Sequence, residues 1–149
     1  GFKPCREMWE RRVFPVVKCR FSISMNYSIK TAEKFKLPIA SQSRTWDLGP
    51  ENVIARMAFA VSLEMDEPMD IDGLLDSKGK EYPSKVLFGG LQSTYEGMLC
   101  LKENIALSHP DFKKYVKGHV DRGLERLLSH VGMDLSQVIE HYSDRQELA

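Results

Sequence analysis

Gly49-Pro-Glu-Asn-Val-Ile-Ala-Arg-Met-Ala-Phe-Ala-Val-Ser-Leu-Glu-Met65 is the stretch whose reading decides the fold of this chain. Gly49 suits an N-cap, Pro50 the first helical position and Glu51 the first turn. A missing donor is harmless there, and a carboxylate meets the positive end of the helix dipole. Val53, Ile54, Ala55, Met57, Ala58, Phe59, Ala60, Val61, Leu63 and Met65 then follow, with only Arg56, Ser62 and Glu64 between them. A helix apolar on nearly every side has to be buried on nearly every side. In a chain of 149 residues it is the central helix, or it completes its burial on another subunit. The run is too short and too interrupted to span a bilayer.

The composition around it is that of one globular domain with a real core: 42% hydrophobic and 28% charged residues. The formal net charge is zero, yet the charges are unevenly spread. Residues 1–48 carry ten Lys/Arg against four Asp/Glu, and the remainder eleven against seventeen. Such a molecule can turn a basic face to a polyanion, or join its two halves between subunits. Cys5, Cys19 and Cys100 are odd in number and lack metal-ligand spacing. Three free thiols in a cytoplasmic protein is the expectation. No membrane segment or long apolar signal region is present.

Residues 1–24 read as an N-terminal extension or expression remnant, with Met25 as the native start and 25–149 as the domain. Tyr27 and Ile29 alternate with polar neighbours, which predicts a short strand. Thr31 then caps a first helix that Pro38 breaks or kinks. Ile39 to Trp46 resumes it, with Trp46 packing on the central helix. An acidic, turn-rich connection follows from Asp66 to Pro83, with a turn tip at Ser77-Lys-Gly-Lys80. Val86-Leu-Phe88 returns to the core, and a helix is expected over residues 91–107. Phe112, Tyr115, Val116, His119, Val120, Leu124, Leu127, Leu128 and Val131 keep a 3.6-residue period, with Pro110 at the helix start. Gly132 caps that helix, and a short terminal helix uses Leu135, Val138, Ile139 and Tyr142. The fold class is therefore mainly α: a compact single-domain helical bundle whose first half, a short extended segment and two helices, is ribbon-helix-helix-like.

Catalytic signals are weak. Asp70, Asp72 and Asp76 have calcium-loop spacing, but Leu75 stands where such a loop needs glycine, so a solvated acidic loop is the better reading. His119, His130 and His141 recur evenly without a thiol or carboxylate to complete a ligand set, and Gly132 separates the last two. His119 falls on an apolar helix face as a core histidine. Phe88-Gly-Gly-Leu91 lacks the residues of a phosphate loop. No catalytic residue, metal or cofactor is expected. What remains is basic surface: Lys30, Lys34, Lys36 and Arg44 near the domain start, and Lys113 with Lys117 one turn apart. Arg122 and Arg126 take the opposite edge of the same helix.

Three stretches carry a resemblance. Asn52-Val-Ile-Ala-Arg-Met-Ala-Phe-Ala-Val-Ser-Leu-Glu64 resembles the central helix of the DndE family of DNA sulfur-modification proteins. Asp76-Ser-Lys-Gly-Lys-Glu-Tyr, with Leu87-Phe-Gly89 and Tyr95, is similar to its turn and following helix. His119-Val-Asp-Arg-Gly-Leu-Glu-Arg-Leu127 looks like its late helix. Together they cover about residues 50–130. The resemblance implies a helical, tetrameric protein of the machinery that replaces a non-bridging phosphate oxygen of DNA with sulfur. It implies binding of duplex DNA, nicked duplex in particular, through lysines, beside sulfur-transfer and ATPase subunits. This chain departs from the pattern at Pro38, in its fewer cations around Arg44, and in a longer tail after Gly132.

The expected function is thus a non-enzymatic DNA-binding or scaffold subunit of DNA phosphorothioation, an oligomer in the bacterial cytoplasm. Lys30, Lys34, Lys36, Arg44, Lys113 and Lys117 are its candidate phosphate contacts. The alternatives are a sequence-reading regulator, a protein–protein adaptor without DNA contact and, last, a nickase.

Overall fold

The computed structural model describes residues 26–149 except Leu75, Val131 and Ala149. The expected extension over 1–24, the start at Met25 and the thiols of Cys5 and Cys19 lie outside the described residues. In chain order come β1 (Ser28–Lys30), a 3-10 turn (Glu33–Phe35), α1 (Lys36–Thr45), α2 (Glu51–Leu63) and β2 (Glu81–Pro83). After these come α3 (Ser84–Phe88), a second 3-10 turn (Gly89–Leu91), α4 (Gln92–Glu103), α5 (Phe112–Leu128) and α6 (Leu135–Leu148). The mainly helical class expected from the sequence is what the chain forms.

The stretch quoted above is the central helix α2. It starts one residue later than the sequence suggests: Pro50 is the N-cap, and Gly49 turns the chain ahead of it at φ +78°. Ile54, Ala55, Ala58, Phe59 and Ser62 are buried, and every other residue of the helix is half-buried. The main partner is α5. A Cβ placed on Gly123 would lie 1.7 Å from the Ala58 carbonyl oxygen, so the two backbones touch at this crossing. Only glycine opposite alanine permits that approach. Phe59 sits beside it, with the rings of Phe88, Tyr95 and His119 at 4.9, 6.0 and 5.9 Å. These edge-on arrangements are the favoured ones for aromatic pairs.

β1 appears where alternation predicted a strand, and it pairs antiparallel with β2 of the same chain. Ile29 faces Tyr82, and both are buried, while Lys30 lies opposite Glu81 at the surface. The extended first segment is thus completed within the chain across the predicted turn, whose Gly79 N–H donates to the Thr31 carbonyl at 2.8 Å.

Three expectations are corrected. Pro38 neither breaks nor kinks a helix, because it occupies the third position of α1. An N–H there has no intrahelical acceptor, so nothing is lost. The helix expected over 91–107 ends at Glu103, where Asn104 adopts the left-handed conformation (φ 53°, ψ 47°) that asparagine tolerates at a helix end. Pro110 lies outside α5, whose N-cap is Asp111. Trp46 is buried as expected, and its indole N–H donates to the Met133 carbonyl at 2.9 Å, tying the end of α1 to the approach to α6.

Candidate nucleic-acid interface

The six basic residues singled out by sequence fall into five environments. Lys36 and Arg44 lie on the open side of α1, exposed together with Leu37 and Ser41, while Ile39, Gln42 and Ser43 face the core. Lys36 and Arg44 enter no ion pair within 4 Å among the described residues. Lys30 is exposed on β1 with Glu81 across the ribbon. Lys34, just before α1, lies over the Phe35 ring and 3.9 Å from Glu125. Lys113 is exposed near the start of α5, twelve residues before Glu125. That spacing is about 18 Å along a helix axis. The structure therefore groups Lys34, Lys36 and Arg44 on one contiguous segment and leaves Lys113 apart from it.

Lys117 is different. Although one turn from Lys113, it is 8% exposed, with its ammonium 2.5 Å from Asp121 Oδ2. Asp121 also accepts the Ala32 N–H at 3.2 Å. Burial pushes its carboxyl above the usual range, and Lys117 offsets part of that shift. The pair locks the lead into α1 against α5. Lys117 and Lys34 do share one feature: both line a cleft of about 580 Å³ between the start of α1, the acidic connection and α5. Its carboxylates are Glu67, Asp70, Asp76, Asp121 and Glu125, against Lys34, Lys117 and Arg122, over apolar Phe35, Met69 and Leu74. Carboxylates outnumber cations, so the cleft repels phosphate.

The sequence did not reveal the network at the α2–α4–α5 junction. Arg122 donates from Nε to Ser62 Oγ at 2.8 Å, and its two terminal nitrogens donate to the Glu67 and Ser62 carbonyls, each at 2.9 Å. A cation thereby meets the carbonyl end of the central helix, the favourable pole of its dipole. His119 Nδ1 lies 2.8 Å from Ser62 Oγ, and its Nε2 lies 2.7 Å from Glu103 Oε1. A carboxylate at Glu103 accepts, so Nε2–H is the donor to it, and Nδ1 accepts the hydrogen bond of the Ser62 hydroxyl. Burial holds His119 down to about 4 against the opposing pull of Glu103. Ser62 and His119 are both 0% exposed, so this serine–histidine–glutamate series is closed to substrate and works as a tether between three helices. His119 is the core histidine that its apolar helix face implied. The signals were a polar Ser62 inside an apolar run and a cation, Arg122, on the edge of its helix, but pairing them requires the α2–α5 crossing.

Residues 19–134 match the family described as DNA sulphur modification protein DndE. The chain belongs to the DndE family. A solved structure of similar fold is the crystal structure of DndE from Escherichia coli B7A, described as involved in DNA phosphorothioation modification. It is 17% identical, with a TM-score of 0.53, covering 67% of this chain and 95% of that one. Comparison with curated protein sequences gives no match. Among the described residues, no helix is long and apolar enough to cross a membrane. α6 begins at Leu135, beyond the DndE-matched residues, which locates the longer tail noted in the sequence.

Proposed function

We propose that this DndE-family chain is a non-catalytic DNA-binding and scaffold subunit of the phosphorothioation machinery, working in the cytoplasm as a homo-oligomer. It binds duplex DNA, nicked duplex preferentially, through backbone phosphates and beside other subunits of the system. The observation that carries this reading is the open face of α1, where Lys36 and Arg44 are exposed and free of carboxylate partners among the described residues. Lys34 and Lys30 extend it toward β1, and Lys113 supplies a separate contact. Lys117 contributes through Asp121 to the shape of the site rather than by touching DNA. Binding of this kind is steeply salt-dependent and nearly blind to sequence.

The test is a mobility-shift titration of nicked against intact duplex of unrelated sequence at two salt concentrations. Preferential, salt-sensitive binding to the nick is the expected result, weakened by Lys36→Glu with Arg44→Glu. Equal binding by that double variant would overturn the mapping. A second reading, a protein–protein adaptor without DNA contact, draws on the carboxylate-lined cleft, which suits a basic partner segment. Absence of binding at low salt would favour it.

A further inference from the structure

His130 and His141 looked unrelated in sequence, because a turn at Gly132 separates them. That turn is what brings them together. Gly132 sits at φ +95°, in the left-handed region that glycine tolerates, and reverses the chain between α5 and α6. The two imidazole centroids end 4.9 Å apart with their planes tilted by 57°, neither stacked nor edge-on. Tyr142 completes a triangle of rings, its hydroxyl 3.2 Å from His130 Nε2. Two imidazoles bound to one cation through nitrogens at roughly 2.1 Å, at near-tetrahedral angles, place their centroids about 5 Å apart.

We propose that His130 and His141 form a two-imidazole site for a borderline divalent cation of the Zn²⁺ or Ni²⁺ class, which clamps α6 onto the end of α5. The donor set suits these ions and excludes magnesium and calcium, which take oxygen ligands. Tyr142 supplies the outer support: with the proton on His130 Nε2 donated to the tyrosine oxygen, Nδ1 keeps its lone pair for the ion. The groups that act on His130 are His141 and Tyr142 from α6 and Arg126 from α5. Arg126 opposes the cation and limits its affinity. Among the described residues no third His, Cys, Asp or Glu joins the pair, which leaves the remaining coordination positions to water or an external ligand. His141 is exposed.

The consequence concerns α6, which lies beyond the family-matched residues and is held chiefly by buried Val138 and half-buried Leu135 and Tyr142. The experiment is a ZnCl₂ titration of the full chain at pH 7.5, followed by histidine-ring NMR. The ring signals of His130 and His141 should move together and saturate near one equivalent, while those of His109 and His119 stay in place. His141→Gln, at an exposed position that leaves folding intact, should weaken the response of His130 at least tenfold. Zinc should also slow amide exchange across α6 in the parent protein and not in the variant. Independent movement of the two rings, or an unchanged His130 response in the variant, would sink the site. Zinc taken up with both rings silent would place the ion elsewhere and equally overturn it.

Discussion

α1 and α5 are both cationic helices, and they use their charges in opposite ways. On α5, Lys117 and Arg122 face inward, where Asp121 and the Ser62 hydroxyl and carbonyl accept their hydrogen bonds. On α1, Lys36 and Arg44 face solvent, while the inward Gln42 Nε2 and Ser43 Oγ have no hydrogen-bond partner among the described residues. A buried cation left without its partner is expensive, so Lys117 and Arg122 are bound to the fold, unlike exposed Lys113 on the same helix. The α1 charges make no contribution to it that a substitution would remove. The same residue types are architecture at Lys117 and Arg122 and available surface at Lys36 and Arg44.

Four experiments press on this contrast. The largest effect is expected at the α2–α5 crossing: Gly123→Ala forces apart two touching backbones and should destabilise by about 3–5 kcal/mol, read by urea unfolding. Arg122→Gln removes most of the tether at the end of α2 and should cost about 2–3 kcal/mol, with the salt dependence of DNA binding intact. A variant as stable as the parent would remove the claim that α5 charges serve the fold. Next comes pH. His119 has a lowered pKa in the folded protein, about 4 against 6.5, so the unfolded chain binds the extra proton first. Stability is therefore full above pH 6.5 and falls as pH drops toward 4, by about 2–3 kcal/mol for this group. His119→Gln should flatten the slope between pH 6.5 and 5, where ordinary carboxylates hardly titrate, and a slope unchanged by that substitution would refute the neutral-histidine tether. The smallest stability effect belongs to α1. Lys36→Glu with Arg44→Glu should shift unfolding by less than about 0.5 kcal/mol. The same double variant should lower the salt slope of DNA binding by about two. A large loss of stability would mean that α1 charges are structural after all.

Much of this is legible in the sequence. The apolar run of 53–65, broken only at Arg56, Ser62 and Glu64, identifies the central helix, and the 3.6-residue period from Phe112 identifies its partner. Tyr27 and Ile29 announced the strand, and the family stretches announced DndE. Helix ends were read less well, because Asn104 stops α4 through a backbone conformation that periodicity does not register. The effect of Pro38 escapes local reading for a related reason: it depends on the distance from a helix start, and that start is set by the turn at Glu33–Phe35.

The candidate surface was only half legible. Lys113 and Lys117 have the same chemistry and lie one turn apart, yet one is exposed and the other is 8% exposed. The choice between them is made by the acidic connection and the lead into α1, which fold across that side of α5. Likewise, no spacing rule joins His130 to His141 across Gly132. The sequence by itself determined which segments become helices and which faces are apolar, since those follow from local periodicity and backbone preference. Tertiary structure decided which charges stay free and which histidines meet, because desolvation and pairing depend on neighbours distant along the chain.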